Sequence, residues 1–309
     1  MFMNSTPPRR PIDYSRRDLV HSPLVVFYET TQACDLVCQH CRACAQTRSH
    51  PGELSTRESK LLLEQLSEFP KPPMVVLTGG DPLKRADIYD LVEYGTTCGL
   101  SVSITPSATP LVTRDALRRL RDLGLARVAV SLDGADVATH DAFRGVAGSF
   151  DRTLEILLTA ESLGIPVQVN TTITPANFEQ VDDMANLLAE QDIVLWSVFF
   201  LVPVGRGDGI DRLSAEQCED VFSRLWHNAQ RQPYMIKTTD APHYRRFAIQ
   251  NQIFKGSGDR VAVPPRGFST LGVNDGKGVM FIGHTGFVYP SGFMPILCGV
   301  FPQQHVVDV

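Results

Sequence analysis

The sequence predicts an α/β fold, a partial (β/α)6 parallel barrel with a small, partly β C-terminal appendage. Three observations predict it. Short apolar or β-branched runs alternate with longer amphipathic ones from residue 24 to residue 231. The short runs are nearly all apolar or β-branched, as expected when a parallel sheet is covered on both faces. Gly99, Gly124 and Gly164 each follow a helical run and precede a strand, where a left-handed cap residue is wanted. Six such βα units in succession imply right-handed crossovers.

Taken in order, strands are expected at 24–30, 74–78, 100–105, 127–132, 166–173 and 193–202. Helices are expected at 55–69, 85–97, 113–123, 149–163, 176–190 and 214–231. Ser55-Thr56-Arg57-Glu58 and Ser214-Ala215-Glu216-Gln217 read as capping boxes, and Pro175 suits a first helical turn after Thr174. Beyond about residue 232, Pro, Gly and short apolar pieces take over. Gly278-Val279-Met280-Phe281-Ile282 and Gly286-Phe287-Val288-Tyr289 flank Gly283-His284-Thr285 as a hairpin would. The expected division is a flexible lead-in over 1–20, the partial barrel over 21–231 and the appendage over 232–309. Val306-Val307-Asp308-Val309 reads as an apolar strand, and a chain stopping there would expose an unpaired edge. A continuation beyond residue 309 is therefore expected.

Charged residues at 20% and hydrophobic ones at 43% describe an ordinary globular protein. A formal charge of -5 gives no attraction for nucleic acid or an anionic membrane. No apolar stretch approaches the roughly 20 residues of a bilayer span, and Met1 to Arg17 holds no apolar signal core. A cytoplasmic protein is expected. Four of the seven cysteines fall between positions 34 and 44, which points to metal or redox chemistry rather than a disulfide frame. Cys98 and Cys218 read as small core residues.

Cys34, Cys38 and Cys41 directly follow the first apolar run, and C-x3-C-x2-C supplies one thiolate fewer than a closed tetrahedral site needs. Structural zinc would recruit His40, Cys44 or His50 as a fourth ligand. A ferredoxin-type cluster needs a spacing this loop does not have. A cubane held by three cysteines would leave one iron open. The loop sits at the carboxyl end of the first strand, where parallel α/β folds place their sites. An open site implies an enzyme, and a closed one a non-catalytic metal- or cluster-binding scaffold protein.

The segment Cys34-Asp35-Leu36-Val37-Cys38-Gln39-His40-Cys41 resembles the signature of radical S-adenosylmethionine enzymes, with His40 where that family places an aromatic residue. Thr78-Gly79-Gly80-Asp81-Pro82 resembles the family's Gly-Gly-Glu-Pro segment, whose backbone receives the methionine amino group. The two glycines would let main chain approach the ligand, and Asp81 would keep the acceptor at shorter reach. By the same resemblance, Ser131 and Arg144 would bind the methionine carboxylate, a task suited to a hydroxyl and a forked guanidinium. Asn170 would face ribose or methionine, and Leu201 and Val202 the adenine. Implied cofactors are one three-cysteine 4Fe-4S cluster and S-adenosylmethionine, with flavodoxin or ferredoxin as electron donor.

Phe281 to Ser291 resembles the hairpin opening a SPASM or twitch extension, with Ser291 where relatives carry a cluster cysteine. The likeness is to the branch of peptide-maturation and alternative-haem-synthesis enzymes, which implies a peptide or tetrapyrrole-like substrate. His284 sits in a Gly-flanked turn from which it could approach substrate, though an ordinary turn histidine is the simpler expectation. Arg114, Arg118, Arg119 and Arg121 lie opposite Leu117 and Leu120 and read as a solvated helix face. Met280, Met294 and Trp226 read as packing residues.

Overall fold

In a computed structural model that describes residues 14–16, 18–255 and 273–309, the six expected strands form the centre of one parallel sheet. They are β1 (Val25–Thr31), β2 (Met74–Gly79), β3 (Ser101–Ile104), β4 (Arg127–Ser131), β5 (Val167–Ile173) and β6 (Ile193–Phe200), paired in sequence order. The connecting helices are α1 (Thr56–Ser67), α2 (Ile88–Thr97), α3 (Arg114–Asp122), α4 (Val137–Arg144), α5 (Ser149–Ser162), α6 (Val181–Ala189) and α7 (Ala215–Arg231). Both capping boxes are formed, Ser55 with Glu58 and Ser214 with Gln217. Gly99, Gly124 and Gly164 adopt φ of 82°, 84° and 66°, which favours glycine because a Cβ crowds the carbonyl there. Pro175 lies in a turn, and the helical backbone starts only at Phe178.

The sheet extends beyond the six expected strands at both edges. A seventh parallel strand, β7 (Met235–Thr239), pairs with β6 and is followed by α8 (Pro242–Lys255). The sheet therefore runs on past residue 231, where the appendage was expected to begin. On the other edge, β8 (Asn274–Asp275) pairs with β9 (Gly278–Ile282), and β9 lies parallel to β1 with Val25 opposite Val279. β10 (Phe287–Tyr289) returns antiparallel on β9, making the expected hairpin, and β11 (Gly299–Val300) closes that edge. The appendage thus shares a sheet with the barrel through β1.

The core follows from strand alternation. Val26, Tyr28, Val75, Leu77, Val102 and Ile104 are buried among helix residues such as Leu62, Leu63, Leu91 and Leu117. Residues at the alternate positions face the inside of the barrel, where polar groups gather: Arg127 donates to Gln168 Oε1 at 3.1 Å, and Gln168 to Asn170 Oδ1 at 2.7 Å. Leu117 and Leu120 are buried while Arg118 and Arg121 pair with Asp115 and Asp122 on the outside, as expected. Trp226 is a core residue, and Cys98 and Cys218 pack half-buried against the core.

Of the lead-in expected over 1–20, positions 1–13 and 17 lie outside the described residues; the Tyr14 hydroxyl donates to Lys71 O at 2.8 Å and the Asp18 carboxylate pairs with Lys71 at 3.1 Å. The expected strand at Val306–Val309 needs correction: Val306–Asp308 is a 3-10 turn, with Val306 buried and its N–H on Gln65 Oε1 of α1 at 3.0 Å. No described helix is long and apolar enough to cross a membrane.

Candidate active site

The carboxyl ends of β1 to β6 surround one cavity that Cys34, Cys38 and Cys41 all line. Each sulfur meets a donor from its own chain. Leu36 N–H donates to Cys34 Sγ at 3.4 Å, Ala45 N–H to Cys41 Sγ at 3.5 Å, and Arg144 Nη1 to Cys38 Sγ at 3.6 Å. Ser107 Oγ adds a contact to Cys34 Sγ at 3.3 Å. Burial pushes the Cys34 thiol up, with Ser107 opposing, and a coordinated metal would reverse that because a ligating thiol is deprotonated. Three sulfurs facing one space, each supported by a donor, suit a metal cluster.

A closed mononuclear site does not fit. Cys44 does not line the cavity; its backbone turns away at φ 46°, and its carbonyl is taken by Gln46 at 2.7 Å. His50 accepts from Gly52 N–H at 3.0 Å and packs against the His284 ring. His40 does line the cavity, its ring 4.5 Å from that of Phe143, and burial pushes it down to about 4, so it is neutral. Among the described residues, no three His, Cys, Asp or Glu side chains stand close enough to share one ion, as tetrahedral zinc requires.

Gly79 and Gly80 line the cavity, yet their glycine requirement arises on the other side. A Cβ on Gly79 (φ 146°) would lie 2.3 Å from Thr31 O, and one on Gly80 2.3 Å from Ala33 O. Gly80 N–H donates to Thr31 O at 2.8 Å and Asp81 N–H to Ala33 O at 2.6 Å. The pair therefore presses the start of the cysteine loop against the end of β2. Asp81, expected as an acceptor for ligand, is absent from the cavity wall. It is wholly buried and accepts from Leu83 N–H at 3.1 Å and Thr109 Oγ1 at 2.8 Å. Its carboxylate organises the turn instead.

Ser131 and Asn170 sit opposite each other in the β4–β5 register, and both line the cavity with Val202 and Leu201. Arg144 lies there too, but its fork is partly committed. Nη2 is ion-paired with buried Asp133, Nη1 faces Cys38, and Nε is buried without a hydrogen-bond partner. Burial disfavours the charge of Arg144, but Asp133 and the Cys38 sulfur outweigh it and raise its pKa. Asp133 also accepts from Thr172 N–H at 2.7 Å. His140 accepts from Asp133 N–H at 3.0 Å and meets Ser149 Oγ at 3.2 Å; burial pushes it down to about 4.

Sequence reasoning missed α4 itself, whose end presents Arg144 and whose Phe143 carbonyl accepts from Gln39 N–H of the cysteine loop at 3.2 Å. It also missed Ser107, which donates to Gly80 O at 3.0 Å, and Arg206. Arg206 donates from Nε to Cys38 O at 2.9 Å and from Nη1 to Ala45 O at 3.2 Å, while Nη2 is buried without a partner beside the cavity. The available signal was position, since both follow the carboxyl end of a strand. The orphaned nitrogens of Arg144 and Arg206 suit an anionic group within the cavity.

A second cavity of about 530 Å³ adjoins the first and shares Arg42, Ala43 and Phe293 with it. Its wall includes Glu29 of β1 and Phe281, His284 and Tyr289 of the hairpin. Arg42 Nη2 donates to Glu29 Oε2 at 2.6 Å while stacking 4.4 Å over the Phe281 ring, and His284 Nδ1 meets Glu29 Oε1 at 2.5 Å. Ser291 is buried on this wall, accepting from Phe293 N–H at 3.2 Å.

A family model described as the radical SAM superfamily matches residues 28–188. The AdoMet-dependent heme synthase of Methanosarcina barkeri (strain Fusaro / DSM 804) is 35% identical over 293 residues, covering 94% of this chain and 83% of that protein. Mycofactocin maturase MftC of Mycobacterium tuberculosis is 33% identical over 207 residues, covering 67% of this chain and 51% of that protein. The crystal structure of Streptococcus suis SuiB bound to S-adenosylmethionine shares the fold at TM-score 0.71 and 17% identity, over 94% of this chain and 65% of that one. The chain belongs to the radical SAM superfamily, in its SPASM-type branch, and is an enzyme whose cofactors are a 4Fe-4S cluster and S-adenosylmethionine.

Proposed function

We propose that this enzyme abstracts hydrogen from a side chain of an iron tetrapyrrole bound in the second cavity. The observation that carries this reading is the pair of adjoining cavities: the cysteine-lined one shares Arg42, Ala43 and Phe293 with a space walled by Phe281, Tyr289 and His284. Aromatic walls with a few polar groups suit a large flat ligand. The similarity to the haem synthase runs through this hairpin, over 94% of the chain, whereas that to the peptide maturase covers 67%.

In this reading Cys34, Cys38 and Cys41 hold the cluster. The Gly79–Gly80 backbone receives the methionine amino group, and Ser131 with the free edges of Arg144 and Arg206 receives its carboxylate. Asn170 and His40 border the ribose and methionine, and Val202 the adenine. When bound, the reduced cluster supplies one electron that splits S-adenosylmethionine into methionine and a 5′-deoxyadenosyl radical. The protein's share is placement and exclusion of water: Leu36 and Ala45 lie in the buried wall around the sulfurs, and Arg42 marks the border across which the radical meets substrate. An external one-electron donor such as flavodoxin or ferredoxin completes the cycle.

The test is anaerobic incubation of cluster-loaded, reduced protein with S-adenosylmethionine and iron coproporphyrin III, a carboxylate-bearing iron porphyrin. The expected result is a mass change in the tetrapyrrole matched by 5′-deoxyadenosine. An unaltered tetrapyrrole, with 5′-deoxyadenosine at its substrate-free level, would overturn the reading.

A further inference from the structure

The second cavity holds an arrangement that hydrogen abstraction does not require. Glu29 is a buried carboxylate on β1 with one oxygen on Arg42 and the other on His284. Facing the carboxylate, the imidazole directs its Nδ1 hydrogen to Glu29. Glu29 thus occupies the Nδ1 side, and Nε2 is the nitrogen left for a ligand. The residue is held in two further ways: its backbone carbonyl accepts from Leu54 N–H at 2.8 Å, and the His50 ring packs edge-on against its own at 5.3 Å. The turn is fixed as well, because a Cβ on Gly286 (φ 87°) would lie 2.1 Å from Phe301 O.

A carboxylate behind one nitrogen of an imidazole, with the other nitrogen presented to a cavity, is how proteins orient and strengthen a histidine for a metal. We propose that His284, through Nε2, ligates the iron of the tetrapyrrole in the second cavity, with Glu29 as the carboxylate behind it. This inference rests on the tetrapyrrole reading and adds to it the atom that anchors the macrocycle. Ligation there fixes the iron on the hairpin side of Arg42 and Phe293, so that a peripheral side chain, rather than the metal, reaches toward the cysteine-lined cavity.

The test uses cluster-loaded protein titrated with ferric coproporphyrin III and, separately, with iron-free coproporphyrin III. Binding is followed by Soret absorbance, and ligation by resonance Raman of the iron–histidine stretch after reduction. The wild type is expected to bind the iron form more tightly and to show that stretch. His284→Ala is expected to lose the stretch and to weaken the iron form roughly 100-fold, leaving the iron-free form unchanged. Glu29→Gln is expected to keep the stretch at lower frequency and to cost about tenfold. Iron and sulfide contents equal to wild type show that the variants are folded. Binding of the iron form by His284→Ala with the wild-type affinity and spectrum would overturn the ligand assignment while leaving the tetrapyrrole reading standing. Binding of neither porphyrin by the wild type would overturn both.

Discussion

The two edges of β1 carry sites built by different means. On the β2 edge, three thiols lie within eight consecutive residues, and backbone holds their loop in place, with Gly79 and Gly80 packed against Thr31 and Ala33. On the β9 edge, the site is made by side chains far apart in sequence, Glu29 and His284 lying 255 positions from each other. The first is a local device that the chain carries in one loop. The second exists only once the hairpin has docked parallel to β1. A local site survives changes in its surroundings as long as its backbone anchors hold, whereas a distant one depends on the closure of the sheet.

The sharpest way to break the first site is through its thiols. Cys38→Ser is expected to lose bound iron and sulfide and to reduce S-adenosylmethionine cleavage to protein-free background, whereas Cys44→Ala should leave both intact. Equal losses in the two variants would mean a fourth cysteine ligand. Asp133→Asn comes next. It leaves the Arg144 guanidinium buried without its carboxylate, which should cost about 3–5 kcal/mol, read as a lower urea midpoint together with a raised KM for S-adenosylmethionine. An unchanged midpoint would show that Asp133 is dispensable to the fold. Gly80→Ala forces a methyl group onto Ala33 O, and overpacking of this kind costs about 1–3 kcal/mol. Lower cluster loading should accompany it, and normal loading would show that the cysteine loop does not depend on this anchor.

The smallest effect probes the other edge. Burial alone would raise the Glu29 pKa, but His284 and Arg42 outweigh it and hold the carboxylate below its ordinary value. A carboxylate depressed in the folded state stabilises the fold above its unfolded pKa of about 4.3, and that stability is lost as the pH falls through the folded value. The difference in urea midpoint between wild type and Glu29→Gln should therefore be present near neutral pH and shrink in acid. A difference independent of pH would mean that Glu29 is not ionised in the folded protein.

This contrast explains what was legible in the sequence. The six central strands declared themselves because each is a largely apolar or β-branched run bounded by caps, and the cysteine loop because its three thiols share one segment. The helix Val137–Arg144 went unseen because its polar face and short length blur the periodicity. Thr-rich Met235–Thr239 lacks the continuous apolar signal of the other parallel strands, as its position at a sheet edge allows. The Gly79–Gly80 pair was noticed for the ligand it could admit, yet its closest steric constraint is the neighbouring strand end. Asp133 lies two residues after Ser131, but its partner Arg144 becomes a neighbour only through the fold of α4. The Glu29–His284 contact carried no sequence signal, since parallel pairing of β9 with β1 is a matter of topology.

The central claim is that three cysteines hold a cluster with one iron open to S-adenosylmethionine. The most direct test is the electron paramagnetic resonance spectrum of anaerobic, dithionite-reduced protein, recorded with and without S-adenosylmethionine. The expected result is a reduced-cluster signal that shifts when S-adenosylmethionine is added. A signal indifferent to it, or colourless zinc-loaded protein with Cys44 engaged beside the other three sulfurs, would contradict the claim.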